Sequence, residues 1–394
     1  MVATMDDSIL VINAGSSSVK FKLITISAQS PRVLIKGQIS GIGTVPSYDI
    51  RNGNDQPLAF PGTDNAITCH DGAFDVLLGW LRDTGVRFIA AGHRVVHGGT
   101  DFTGPILIDD TILEKLDALI PLAPHHQPHN VGAIRALSQK LPSLPQVACF
   151  DTAFHATMPP SAYQCGLPQG FTDKGIRRYG FHGLSYQSIT NNFQKETGQP
   201  VPTRMVIAHL GNGASMCAVK KGESIATTMG FSTLDGLPMG TRSGSIDPGI
   251  LLHLMREDGA DIHQLEDMLY NRSGLLGMSG ISQDMKVLLA SDNKQASDAV
   301  TFFCYQISRH LGSLAAALGG LDALVFTGGI GENSADIRAR VLNLSQWLGL
   351  NLDDIANRSG NRRLTMKGSR AQSWVINTDE EMVIAHHTKQ RLGL

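Results

Sequence analysis

Strand and helix patterns alternate along the whole of this 394-residue chain, which predicts an α/β protein. A second observation predicts how it divides. An apolar strand, a turn of small hydrogen-bonding residues and another strand occur at LVINAGSSSVKF and again at VIAHLGNGASMCAV, with Asn13 and Asn212 about half a chain apart. Such spaced self-similarity signals a duplicated domain, although two unrelated glycine-rich hairpins fit the same letters. Size is the third observation. At 42% hydrophobic and 17% charged residues the chain can bury more than one core, so two domains are expected.

Taken in order, residues 9–13 and 19–26 read as a strand, a tight turn and a strand, with Gly15 and three serines shaping a turn that suits an anion. Residues 41–71, polar and rich in Gly and Pro, read as irregular. RFIAAGHRVVHGG (87–99) reads as a buried strand ending in a glycine-rich loop, and PQVACFDTAFH (145–155) repeats that plan with Asp151 at the strand end. Functional groups in α/β sheets gather at such ends. Helical periodicity covers ITNNFQKET, PGILLHLMRE, IHQLEDMLYN and residues 298–318. ALVFTGGIGENSADIRARVLN (323–343) then reads as a buried strand, a glycine turn and a helix with Glu332 and Asn333 in its first turn. A phosphate or a base can approach bare backbone there. EEMVIAHHTKQRL reads as a closing helix. No linker is visible, and the repeat places the boundary near Asp151.

Charge and composition exclude several classes of partner. Lys and Arg number 33 against 35 Asp and Glu, with no basic block, so neither nucleic acid nor an anionic membrane has a surface to bind. The start, MVATMDDSILVINAG, lacks the basic and apolar regions of a secretory signal, and LGSLAAALGGLDALVF is broken by Asp322 and too glycine-rich to span a bilayer. Five widely spaced cysteines without a CxxC favour a reducing, cytoplasmic setting.

Three Gly and Ser turns, each after an apolar strand, fit a nucleotide gripped at its phosphates by two hairpins, with its base near the third. No GxxxxGK[ST] occurs, and neither GNGASM nor GGIGEN completes a dinucleotide fingerprint. Arg94 in GHRVVHGG and Arg242 in MGTRSGSIDPG sit among small, near-neutral residues. Either fits a structural ion pair; beside these turns both fit bidentate binding of a carboxylate or phosphate. Asp151 and Glu380 can hold Mg²⁺ through water, while Glu380 with Glu381 equally suits the first turn of a helix. The HHQPH run lacks the Cys or Glu spacing of a zinc site. His182, in a loop before a helix, reads either as structural or as a donor to a phosphoryl oxygen.

Ten stretches in this order, VINAGSSSVKF, GHRVVHGG, PLAPHHQPHN, FDTAFH, RRYGFHGLSY, HLGNGAS, MGTRSGSIDPG, SGISQDM, FTGGIGENS and TDEEMVIA, span almost the whole chain. Together they resemble the acetate kinase family of short-chain carboxylate kinases, within the wider group that includes sugar kinases, Hsp70 and actin. The resemblance implies two duplicated actin-like, ribonuclease H-like domains of βββαβαβα type with a nucleotide cleft between them, the first over residues 1–150 with 381–394 and the second over 151–380. It implies reversible transfer of the γ-phosphoryl group of ATP to acetate, giving acetyl phosphate and ADP by direct in-line displacement and leading toward acetyl-CoA. Mg²⁺, with Mn²⁺ as an alternative, and a homodimer are further implications.

By motif, the catalytic positions fall on Asn13, Arg94, His126, Asp151, His182 and Arg242, and the metal positions on Asn13 and Glu380. Nucleotide positions fall on Ser16, Ser18 and Lys20, on His209, Leu210, Gly211, Asn212 and Gly213, on Asp284, Met285 and Lys286, and on Gly328, Gly329, Ile330, Gly331 and Asn333. Substrate positions fall on Arg94, Val96, His125, Phe181 and Thr233. The chain departs from the family pattern at His125, where Leu is frequent, and at Thr233, where FTPLEGL reads FSTLDGL. It departs again at Leu184, Tyr186 and Lys286. The departures at His125 and Thr233 leave the reaction class intact and open the choice of carboxylate to propionate or butyrate. An ATP-driven conformational protein of the actin and Hsp70 type is the rival from another class.

Overall fold

A computed structural model describes residues 7–26, 31–61 and 67–394. The chain forms two compact units, one of Met1–Ala153 with Asp379–Leu394 and one of Phe154–Thr378.

Among the described residues the first unit is built on seven strands, β1 (Ser8–Ala14), β2 (Ser18–Thr25), β3 (Val33–Ser40), β4 (Ser47–Asn52), β5 (Phe88–Val95), β6 (Ile106–Leu107) and β7 (Gln146–Phe150), in the order β4-β3-β2-β1-β5-β7-β6. β1 to β4 form an antiparallel meander, and β1, β5 and β7 run parallel. Ile9 to Ile12 are all buried, as a strand covered on both faces requires. Leu10, Ile12 and Phe21 pack with Phe74 and Leu77 of helix His70–Asp83 and Leu137 of helix Gln127–Lys140. On the alternate face Gly92, paired with Val11, admits helix Glu380–Leu392, because a Cβ there would lie 2.6 Å from the Ile384 side chain. The segment expected to be irregular contains β4, which extends the meander by one strand; residues 62–66 of it lie outside the described residues.

The second unit holds β8 (Arg204–Leu210), β9 (Ala214–Lys220), β10 (Glu223–Thr227), β11 (Ala323–Thr327) and β12 (Gln372–Val375), ordered β10-β9-β8-β11-β12. Its antiparallel β8-β9-β10 and parallel β8-β11-β12 pairings repeat those of β1-β2-β3 and β1-β5-β7. The two glycine hairpins therefore occupy equivalent places in two sheets of one topology. Tyr186, Ile189 and Phe193 of helix Gly183–Thr197 pack on Ile207, Cys217 and Val325. Helix Lys294–Leu318 buries Val300, Phe303, Ile307, Leu311 and Leu314, the spacing of one helical face, and ends at Gly319 in the left-handed conformation.

Two details differ from the sequence expectation. Residues 151–153 and 379–380 group with the first unit, because Asp151 continues β7 into a backbone bond with Val95 and Glu380 opens a helix packed on the first sheet. After β11 the helix begins at the glycines themselves, Gly328–Asn333, and a second helix, Ala335–Leu344, follows, capped by Ser334.

Candidate active site

In the first unit the polar groups collect at the ends of β1, β5 and β7. Neighbouring parallel strands bring Asn13, Arg94 and Asp151 into one cluster. Arg94 donates from Nε to Asp151 Oδ1 at 3.0 Å and from Nη2 to Oδ2 at 2.6 Å, and its Nη1 lies 3.4 Å from Asn13 Oδ1. Glu380, opening the last helix, lies 3.9 Å from the same guanidinium. Burial works against the charge on Arg94, but Asp151 and Glu380 outweigh it and hold the group above its ordinary range. Burial pushes the Glu380 carboxyl well up; Arg94 opposes this, and Asp151 and Glu381 add to it.

The Asp151 carboxylate is thus taken up by Arg94 rather than turned toward a cation. Among the described residues no three His, Cys, Asp or Glu side chains form a metal cage. Yet Asn13 and Glu380 both offer hard oxygen donors beside the Arg94 guanidinium. That donor set fits Mg²⁺, which takes one or two protein oxygens and completes its shell with phosphates and water.

Other expected groups of this unit fall nearby in the chain or at its surface. The hairpin turn is closed by Gly15 N–H donating to Ser18 O at 2.8 Å; Ser16 and Lys20 are exposed and Ser18 is half-buried. His126 is the N-cap residue of helix Gln127–Lys140, with Pro in that helix's first turn, and His125 is exposed. Val96 is buried, and its N–H donates to Asn130 Oδ1 at 2.9 Å. Asn130 Nδ2 in turn donates to Ala14 O at 2.8 Å, tying the ends of β1 and β5 together. Sequence reading passed over Asn130, although it closes the quoted PLAPHHQPHN motif.

In the second unit His182 occupies the left-handed region, φ 58°, immediately before helix Gly183–Thr197. A residue with a Cβ stays there only when its surroundings hold it. Its Nδ1 lies 2.8 Å from Ser215 Oγ, which also meets the Tyr186 hydroxyl, and its ring stacks on His209 at 4.3 Å. His209 is itself held by Ser185. His155 bonds the Phe181 carbonyl through Nε2, so that nitrogen carries the hydrogen and Nδ1 accepts from Ser224; burial lowers its pKa to about 4, with the carbonyl opposing. Phe181 is fully buried.

The β8-β9 turn, Gly211 to Gly213, is closed by Gly211 N–H donating to Gly213 O at 3.1 Å. A Cβ on Gly213 would stand 2.9 Å from Arg242 Nη2 and 3.4 Å from His182 Nε2, so the guanidinium and the imidazole converge on this one bare position. Desolvation lowers the Arg242 pKa, with Tyr270 opposing, and Arg242 Nη1 donates to the Thr233 carbonyl at 2.8 Å. Thr233 therefore meets Arg242 through its main chain, a contact that proline at this position would also provide.

The same turn borders a cavity of about 860 Å³. Of the expected nucleotide residues, Gly211, Asn212, Asp284, Met285, Lys286, Gly329, Ile330 and Asn333 line it, together with Gln283, Leu289, Ala290 and Asp336. Leu210, Gly328 and Gly331 are buried behind it. Gly328, at φ 77°, packs its Cα against the Leu210 backbone, which brings the glycine helix against the hairpin. Glu332, which sequence reading left without a role, accepts from Gly328 N at 2.9 Å and from Thr327 Oγ1 at 3.1 Å and so caps this helix from within. Asp284 caps helix Met285–Leu289 through Lys286 N. A mixed cavity of this size, floored by glycine backbone and bordered by the turn on which Arg242 and His182 converge, suits a nucleotide and its phosphates.

A profile described as the acetokinase family matches residues 8–386. The acetate kinase of Rhodopseudomonas palustris is 50% identical over 390 residues, covering 97% of this chain and 98% of that one. A propionate kinase structure from Francisella tularensis superposes with TM-score 0.90 at 37% identity, covering 98% of this chain and 99% of that one. The acetate kinase structure of Porphyromonas gingivalis gives 0.88 at 35% identity, with 98% and 100% covered. The motifs, the repeated sheet topology and these full-length matches agree: the chain belongs to the acetokinase family.

Proposed function

We propose that this protein is an acetate kinase that transfers the γ-phosphoryl group of ATP to acetate, reversibly and by direct in-line displacement. The observation that carries the reading is the convergence of Arg242 and His182 on Gly213, in the turn that borders the 860 Å³ cavity. An acetate oxygen attacks phosphorus as the bond to the β-phosphate bridging oxygen breaks, and ADP leaves with that oxygen. An ionised carboxylate is already a nucleophile, so no general base is needed; alignment and charge stabilisation suffice. Arg242 and His182 stabilise the equatorial oxygens, Arg94 orients the carboxylate, and Asp151 fixes Arg94. His126 adds a donor, and Val96 and Phe181 exclude water from the methyl group.

Asn13 and Glu380 would hold Mg²⁺, which when bound would neutralise phosphate charge. Lys20, Ser16 and Ser18 contribute to the phosphate end, and Asp284 and Asn333 to the adenosine end. A homodimer is part of the reading, supported by helix Pro248–Glu257, which buries none of its residues. So is a cytoplasmic setting, supported by five cysteines that are all free thiols and by the absence, among the described residues, of any helix long and apolar enough to cross a membrane.

Trapping with hydroxylamine tests the reaction. Acyl hydroxamate is expected only when ATP, Mg²⁺ and a carboxylate are all present, with acetate turned over faster than propionate or butyrate. One methylene changes binding by only about 1–3 kcal/mol, so propionate should be poorer rather than excluded. Faster turnover of propionate would move the assignment to a propionate kinase, the activity named for the Francisella structure. No product with any two- to four-carbon acid would leave a nucleotide-driven conformational protein.

A further inference from the structure

The second unit holds another cavity of about 440 Å³, whose walls include Arg178, Thr227, Thr228, Asp235, Ser245 and His310. Arg178 directs Nη1 to the carbonyls of Thr227, Thr228 and Met229 at 3.3, 2.8 and 2.8 Å, and its Nη2 meets Asp235 Oδ2 at 3.1 Å. Beside it, Tyr179 N and Gly180 N both donate to Gly230 O, at 3.0 and 3.3 Å. The segment leading into His182 is thereby fastened to the strand end at 227–230. The Asp235 carboxylate accepts from Ser245 Oγ at 2.5 Å, and Gly236 N donates to that same hydroxyl at 3.0 Å. Between Gly230 and Asp235 the loop carries Thr233, whose carbonyl receives Arg242.

One ion pair therefore joins the segment that leads into His182 to the loop that holds Arg242. We propose that Arg178 and Asp235 are positioning residues that set the separation of His182 and Arg242 and hence the fit of the site to the transferring phosphoryl group. Both side chains are about a third exposed, at 30% and 34%, so the pair is a weak source of stability and a specific source of geometry. Small displacements of aligned groups cost rate far out of proportion to the energy of the displaced contact.

The proposal rests on the phosphoryl-transfer reading, and two measurements separate the failure of one from the failure of the other. Asp235→Asn keeps a group that can bond Ser245 and removes the charge facing Arg178. The expected result is a kcat lower by about tenfold or more, KM for ATP within about twofold, and recovery of most of the rate in Asp235→Glu. The second readout needs no turnover. In protein labelled with ¹⁵N-histidine, the His182 ring signals, assigned by their loss in His182→Gln, should shift in Asp235→Asn and return toward wild type in Asp235→Glu. If wild-type protein makes no acyl phosphate, the kinase reading falls while the ring signals still judge the clamp. Wild-type kcat with unmoved ring signals in Asp235→Asn overturns the proposal. So does an equal loss of kcat, KM and melting temperature in both variants, which marks a merely structural contact. Should Asp235→Asn fail to fold, Arg178→Lys, which keeps the charge but cannot reach Asp235 with the same fork, decides: unchanged kcat and ring signals overturn the proposal.

Discussion

At the scale of single residues, what the site lacks matters as much as what it holds. Gly213 needs no unusual backbone angle, so its value lies in the missing Cβ, which leaves room for Arg242 Nη2 and His182 Nε2. Alanine at this position would place a methyl 2.9 Å from the guanidinium and displace it without breaking a hydrogen bond of the turn. Gly213→Ala should therefore lower kcat by about ten- to a hundredfold while the melting temperature stays within a few degrees. Steady-state kinetics and calorimetry on one preparation check this. A melting temperature that falls in step with kcat would make Gly213 a folding residue instead. Gly240 follows the same logic, since a side chain there would strike the Asn212 amide.

At the scale of elements, the two parallel strands that carry Asn13 and Arg94 are held in register by more than their ladder. Asn130, on a helix and largely buried, accepts from Val96 N and donates to Ala14 O. Asn130→Ala leaves both backbone groups without that partner, at roughly 1–3 kcal/mol each, and loosens the strand ends that present the cluster. Thermal unfolding should shift down markedly, and KM for the carboxylate should rise more than KM for ATP, whose proposed cavity is lined by residues of the other unit. Equal changes in both constants would refute a local role for Asn130. Strands β1, β2, β5, β7, β8, β9 and β11, the two hairpins and the ends of helices Pro248–Glu257, Ile262–Asn271 and Glu380–Leu392 were legible in the sequence, because periodicity and turn chemistry are local signals. Asn130, Ser215 and the Arg178–Asp235 pair were not. Each acts through a partner brought near only by the folded sheet, and a polar residue in a helix or loop carries no local mark of that partner. β4 was missed for a different reason: its sequence, SYDIRN, is an exposed edge with a single buried side chain, so its pattern resembles a loop.

At the scale of the whole molecule, one exposed apolar face bears on assembly. Helix Pro248–Glu257 leaves Ile250, Leu252 and Met255 at 48%, 58% and 52% exposure, and Ile262, which opens the next helix, at 71%. Large apolar side chains concentrated on one helix mark an interaction surface, and a stable interface needs about 800 Å² from each partner. A second copy of this chain is the occupant proposed here, through a two-fold interface in which the helix meets its own image. Sedimentation at micromolar concentration should then give twice the 42.3 kDa chain mass for the wild-type protein. Leu252→Asp, which sets two like charges against each other across such an axis, should sediment as a monomer with an unchanged far-ultraviolet circular dichroism spectrum. The substitution touches none of the residues assigned to the nucleotide cavity, so the monomer should still protect its nucleotide from exchange, and any fall in turnover would measure how far the second copy supports the first. A wild-type protein that sediments as a monomer, or a Leu252→Asp variant that stays dimeric, would remove this helix from the interface.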